Sequence, residues 1–376
     1  MIHSYGLTRT GFSHIEEGSI CQDAHKIRKV SESVWIAAVA DGVGSHENSD
    51  MASDIAVSVS VDYCSARITE KKKDEEILNI IKCSFYEALN AVKDTAKEKG
   101  LDPYFDCGTT LTLAVYIRSV LYYGHSGDGG IIALSANGNY IQITKPQNDE
   151  QRRVFTLQTG DRYWVFGKTD SVVSLLLATD GIYFTFFPDL LNFDSEDSSR
   201  IWINRADYFL NNKRVQIGKK GTEAIKKKIE AEFEDPDKRL TDDDATVVVM
   251  INPDIRVTLR PDEYYAEPDW EALREKYRLM REVSEEDTAE YSPDKHDDQS
   301  KDDPHSKKSG SERSSSERPN EISKDRDQTY EHKRSLLKRL LGKKPPAGDP
   351  KSAAVPKEHP GKGTTAPSGK IKDRDV

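Results

Sequence analysis

The chain is poor in cysteine and has none in close pairs. Cys21, Cys64, Cys83 and Cys107 are scattered without C-x-x-C spacing, which argues against a disulfide scaffold or a cysteine zinc site and predicts a reduced, cytoplasmic setting. No apolar run approaches the roughly 20 residues of a membrane span, and the opening MIHSYGLTRTGFSH lacks the apolar core of a signal peptide. No internal repeat is evident. Hydrophobic residues are only 36% of the 376, against 32% charged, too dilute for a chain folded throughout. The dilution begins near residue 285, where Ser, Lys, Asp, Glu and Pro alternate with almost no aliphatic side chains, the composition of a disordered tail. Positive charge is also short: the formal net charge is -10. Acids and bases nearly cancel in the tail, so the excess is carried by the folded part, and nucleic acid is not expected as a partner.

Within residues 1–255 the periodicity is clear. VWIAAVA at 34–40 is a continuous apolar run, too short for a good helix, and reads as a strand buried on both faces. Two amphipathic helices follow, one from Ser49 as a candidate cap and one ending at Gly100. TTLTLAVYI, VLYYGHS, GIIALSA and YIQIT then read as strands with an Asn137-Gly138 hairpin turn, and their short connections predict antiparallel pairing. Further strands are expected around VFTLQ, DRYWVF, SVVSLLLATDG and ATVVVMI, with helices near 199–211 and 221–233. The fold class is α+β, antiparallel sheet with helices packed on it. Residues 256–285 are expected to form a helical extension, centred on EPDWEALREKYRLMRE, and 286–376 the tail. Near 331–344 the tail carries a short basic amphipathic segment, suited to a membrane surface or an acidic partner, or simply a solvated transient helix.

One local pattern recurs at strand ends. Asp41 follows IAAVA and precedes Gly42, Asp180 follows LLLAT and precedes Gly181, Asp243 and Asp244 precede ATVVVMI, and Asp128 sits in GHSGDGG. Each alone is an ordinary turn after a strand. Together, at the ends of strongly apolar strands, they predict carboxylates converging on one spot, where they repel unless cations lie among them. Carboxylate, carbonyl and water ligands suit a hard ion such as Mg²⁺ or Mn²⁺, and neither His nor Cys accompanies these acids at zinc spacing. DGVGS lacks the lysine and spacing of a phosphate loop.

CQDA at 21–24, VADGVGS at 39–45, GTTL at 108–111, GHSGDGG at 124–130, LATDGIY at 177–183 and DDATVVV at 243–249 resemble, in order, the motifs of metal-dependent protein phosphatases of the 2C type. The likeness is to the bacterial branch whose first motif reads Gln-Asp, and it spans about residues 4–251. The resemblance implies a four-layer α-β-β-α sandwich of two stacked antiparallel sheets flanked by helices. It implies two Mg²⁺ or Mn²⁺ ions, with Asp41 bridging them, the Gly42 carbonyl on one, and Asp180 with Asp243 on the other. Asp23 would be held through water, and Asp128 with Asp180 would match a weaker third position. The implied reaction is hydrolysis of phosphoserine or phosphothreonine on a protein, opposing a Ser/Thr kinase in bacterial signalling, by a metal-activated water with no covalent intermediate.

Two departures accompany the likeness. Gly18 stands where many members carry a phosphate-gripping arginine, and Arg9, Lys26 and Arg28 are not at matching spacing. Val43 stands where some relatives have a histidine acid; His46, Glu47 or solvent could substitute, and His14 could contribute to phosphate capture. A catalytically weak or inactive binding module of the same fold is therefore the alternative. Thr109, Thr110 and Thr246 also match, as packing and turn residues. The sequence does not indicate an oligomeric state.

Overall fold

The computed structural model describes residues 2–194, 200–210 and 241–289, with 223, 224, 226, 227, 229–231 and 234 between the last two segments. Among the described residues no helix is long and apolar enough to cross a membrane. Among the described residues, ten strands form two five-stranded sheets, antiparallel throughout. The first holds β1 (His3–Arg9), β10 (Ala245–Ile251), β9 (Val172–Ala178), β6 (Gly130–Ser135) and β7 (Tyr140–Gln142) in that order. The second holds β2 (Ala24–Lys29), β3 (Val34–Ala40), β4 (Leu111–Ile117), β5 (Val120–Ser126) and β8 (Val165–Thr169).

The uninterrupted apolar runs are explained by burial on both sides. In β3 and β4, Ile36, Ala38, Leu113 and Val115 face α2 (Ser49–Ser65) and α3 (Asp74–Lys99), packing with Val57, Val61, Ile81 and Phe85. Their alternates Ala37, Val39, Ala114 and Tyr116 meet Leu175, Leu177, Val248 and Met250 of the other sheet. The outer face of that sheet, with Leu176, Val247 and Val249, is covered by Phe186, Phe209 and Leu210, the last two from α6 (Ile203–Leu210). The result is the expected helix-sheet-sheet-helix layering. At ~1.5–3 kcal/mol per buried aliphatic or aromatic side chain, the strands are anchored firmly enough to hold unfavourable groups at their ends.

Three expectations need correction. VWIAAVA is the third strand; β1 and β2 precede it as sheet edges, and HSYGLTR and AHKIRK bury too few side chains to announce themselves. VFTLQ and most of DRYWVF are not strands: Leu157–Thr159 and Asp161–Tyr163 are single 3₁₀ turns, and only Val165 onward joins the sheet. Their apolar residues pack locally, Leu157 and Trp164 on the α3 cluster and Phe155 on Tyr163 with centroids 4.0 Å apart. Finally, β5 and β6 do not pair despite their short connection. The chain crosses from one sheet to the other there, which delivers Asp128 to the gap between them. The crossing is tight: a Cβ on Gly129 would lie 2.4 Å from the carbonyl oxygen of Ala178.

The connection after β9 forms α4 (Asp180–Tyr183) and, past a 3₁₀ turn, α5 (Asp189–Asn192). The described residues among 223–231 are helical. After β10 the chain makes a 3₁₀ turn at Asp262–Tyr265 and ends in α7 (Trp270–Ala289), which packs beside α5. The rest of the expected tail, including the basic segment near 331–344, lies outside the described residues.

Candidate metal centre

Asp41 is presented by β3, and two threonines hold its backbone. Its N–H donates to Thr110 Oγ1 at 2.8 Å, while its carbonyl accepts from Thr110 N at 2.8 Å and Thr109 Oγ1 at 3.1 Å. Thr109 and Thr110 are thus the turn-bonding residues expected, and they fix where the Asp41 side chain starts. The next residue must be glycine, because a Cβ on Gly42 would sit 2.7 Å from the backbone of Ser49 at the start of α2.

Asp180 opens α4 directly after β9, with its Oδ1 accepting from Gly181 N at 2.7 Å. One carboxylate oxygen each from Asp41, Asp128 and Asp180 lie within 4.8 Å of one another. Asp23 approaches the same region from the loop before β2: its Oδ2 accepts from Thr179 Oγ1 at 2.7 Å, and Thr179 Oγ1 also accepts from Thr246 N at 3.0 Å. Thr246 Oγ1 bonds Thr8 at 2.8 Å. Asp243 lies outside the tight trio, on the exposed side, and shares with Asp180 the lining of a cavity of about 440 Å³.

The electrostatics are those of a crowded site of one sign. Burial raises Asp41 and Asp180 well above the usual carboxylate range, and neighbouring aspartates add to it: Asp23, Asp180, Asp128 and Asp243 for Asp41, and Asp128, Asp243 and Asp23 for Asp180. Burial pushes Asp23 up to about 7 and Asp128 up to about 6, and it also raises Asp243. Among the described residues, no lysine, arginine or histidine makes an ion pair with Asp23, Asp41, Asp128 or Asp180. Asp23 Oδ1 and Asp128 Oδ1 are buried with no hydrogen-bond partner. Buried orphan carboxylate oxygens beside further carboxylates, all hard donors, fit divalent cations of the Mg²⁺ or Mn²⁺ class.

Other sequence candidates take different places. His46 Nδ1 accepts from Gly108 N at 2.9 Å, which leaves its proton on Nε2, and its carbonyl accepts from Ser49 Oγ at 2.9 Å. His46 therefore ties two loops together. Lys26 and Arg28 both pair with Asp62 on α2, at 2.9 and 2.8 Å, and the Arg9 guanidinium stacks 4.3 Å from the Phe12 ring centroid. Gly18 ends α1 (Phe12–Glu17) in the left-handed conformation, φ 72°. The helix terminus itself thus accounts for glycine there.

Sequence reasoning counted Asp244 among the converging acids and missed its anchoring role, and it missed Thr179. Asp244 is 2% exposed, and its carboxylate accepts from Gly11 N at 2.7 Å and Gln22 N at 2.6 Å, with His14 Nδ1 at ion-pair distance, 2.9 Å. It pins the N-terminal segment on which Asp23 sits. Nothing local separates it from Asp243; Thr179 was signalled only by lying in the LATDGIY motif.

The family described as Protein phosphatase 2C matches residues 10–220, more than half of the chain. The comparison with curated proteins gave no significant match. Among solved structures, the serine/threonine phosphatase Stp1 from Staphylococcus aureus is similar with a TM-score of 0.45 at 16% identity, covering 67% of this chain and 95% of that one. PppA, described as a regulatory component of T6SS in Pseudomonas aeruginosa, gives 0.42 at 17%, covering 66% and 97%. The Mycobacterium tuberculosis serine/threonine phosphatase PstP/Ppp gives 0.44 at 16%, covering 67% and 98%.

Proposed function

The chain belongs to the protein phosphatase 2C family, and from that premise we propose that it hydrolyses phosphoserine and phosphothreonine on proteins, using Mg²⁺ or Mn²⁺ held by its strand-end aspartates. The observation that carries the reading is the trio Asp41, Asp128 and Asp180, with one oxygen of each within 4.8 Å of the others and no protein cation paired with them among the described residues. Two ions would be held by Asp41, the Gly42 carbonyl, Asp180 and Asp243, with Asp23 in support and Asp128 toward a weaker third. Such ions supply a hydroxide nucleophile near neutral pH and offset charge on the phosphoryl oxygens.

The protein's own residues position and exclude. Thr109 and Thr110 hold Asp41, Thr179 holds Asp23, and the two apolar layers behind them keep water from the carboxylates' inner side. His46, with its Nε2 proton, is the candidate donor to the leaving serine or threonine oxygen in place of Val43. The substrates would be products of a Ser/Thr kinase, in a bacterial cytoplasm. The tail would contact a partner or a membrane surface.

A weakly catalytic binding module is the second reading, favoured by Val43, which cannot donate a proton, and by Gly18, whose φ of 72° disfavours an arginine. The two separate on hydrolysis of an aryl phosphate and a phosphothreonine peptide, with Mn²⁺ and with chelator. Mn²⁺-dependent turnover of both is expected. Turnover that survives chelation sinks the metal reading, and none on either substrate leaves the binding module.

A further inference from the structure

We propose that the groove leading away from the acid cluster is a subsite for a bulky apolar side chain of the substrate, one flanking its phosphoserine or phosphothreonine. The inference rests on the phosphatase reading above and adds the chemistry of the residue beside the phosphate. The cavity at Asp180 and Asp243 does not end there. A second cavity, of about 530 Å³, continues from it, and Phe184, Phe187 and Asp189 line both. The two cavities thus adjoin across these three residues, and the second is lined also by Phe193 and Tyr277.

The second cavity sets four aromatic side chains, Phe184, Phe187, Phe193 and Tyr277, beside a polar margin that includes Gln142 and Lys145. Phe184 is 45% exposed although its neighbours Tyr183 and Phe186 are fully buried, and Tyr277 is 42% exposed. Both walls are held in place, as a recognition site requires. On the near side, Tyr183 Oη donates to the Thr144 carbonyl at 2.6 Å and accepts from Gln142 Nε2 at 3.1 Å, while His125 Nε2 donates to the Lys145 carbonyl at 3.2 Å. On the far side Tyr277 meets Phe193 edge-on, with centroids 5.3 Å apart, and Lys276 of the same helix pairs with Asp194. Trp270 packs edge-on against Trp202 at 5.1 Å.

The occupant follows from continuity with the acids. A polypeptide whose phosphoryl group lies at Asp180 and Asp243 advances about 3.3 Å per extended residue, so the residues next to the phosphorylated one pass over Phe184. A cavity of this size with aromatic walls takes an aliphatic or aromatic side chain. Tyr277 comes from α7, beyond the residues 10–220 that match the family, while its partner Phe193 lies within them. A small aryl phosphate reaches the acids and not the groove.

The test compares phosphothreonine peptides carrying Leu, Phe or Gly at each flanking position, with an aryl phosphate as control, in wild type, Phe184→Ala and Tyr277→Ala. The wild type should favour an apolar flank by about tenfold in kcat/KM. Both variants should lose that preference through KM, with aryl phosphate turnover unchanged in Tyr277→Ala and melting temperature unchanged in both. Aryl phosphate turnover with no apolar preference, or a preference retained in both variants, overturns the subsite alone. A wild type that turns over neither class overturns the phosphatase reading and the subsite with it.

Discussion

Asp243 and Asp244 are adjacent, identical in chemistry and placed at the start of one strand, yet the protein treats them oppositely. Asp244 is buried and saturated, with two backbone N–H groups and His14 on its carboxylate. Asp243 sits on the open side and belongs electrically to the group of Asp41, Asp128 and Asp180, where carboxylates face carboxylates and the deeper oxygens of Asp23 and Asp128 have no partner. A buried charge met by donors within the chain is an anchor; one left facing its own kind is arranged for a partner from outside. The contrast between saturated and unsaturated acids separates structural from functional aspartates where burial alone does not, since Asp23 of the unsaturated group is buried as Asp244 is.

The largest expected effect falls on the unsaturated side. Asp41→Asn should lower phosphopeptide hydrolysis by about 10³-fold, while the chelated protein melts at the same temperature or higher because like charges have been removed; activity assays paired with calorimetry read both. Asp244→Ala should do the reverse. Removing the acceptor of two backbone donors and the ion-pair partner of His14 in a buried site is expected to cost about 3–5 kcal/mol, measured by urea unfolding, with activity lost only in proportion to the folded fraction. Equal effects of the two substitutions on stability would break the contrast.

His125 sharpens it from the basic side. It is buried and saturated, accepting from Thr112 Oγ1 at 2.9 Å and donating to Lys145, and burial pushes its pKa down to about 4. The unfolded chain takes up this proton near pH 6.5 and the folded one only near 4, so stability is complete above about 6.5 and falls as pH drops toward 4. The loss should be about 3 kcal/mol by the two reference points, and His125→Gln should flatten that part of a pH series of urea midpoints. The smallest effect concerns a cation that the protein does not supply. Gly18→Arg forces a side chain into the left-handed region and should cost about 1 kcal/mol, read by thermal melting.

Much of this was legible in the sequence. VWIAAVA, SVVSLLLA and ATVVVMI are buried on both faces and therefore carry no polar alternation to obscure them, and the aspartates that follow or precede them mark the site. The edge strands β1 and β2 were not legible, since AHKIRK is half in solvent and pairs on one side only. VFTLQ misled because alternating apolar residues serve a 3₁₀ turn packed on α3 as well as they serve a strand. The crossing at Asp128 was hidden because loop length does not say whether the next strand stays in the same sheet. Asp244 was beyond reach for a different reason: its donors lie 222 and 233 residues away in sequence, and three consecutive aspartates look alike until the chain has closed.

The most direct measurement is calorimetric titration of Mn²⁺ into chelator-stripped protein, wild type against Asp41→Asn, with Asp244→Asn as the folded control. If the strand-end acids are built for cations, the wild type binds two ions, Asp41→Asn loses that binding, and Asp244→Asn keeps it wherever it remains folded. Absence of binding in the wild type, or binding undiminished in Asp41→Asn, contradicts the assignment.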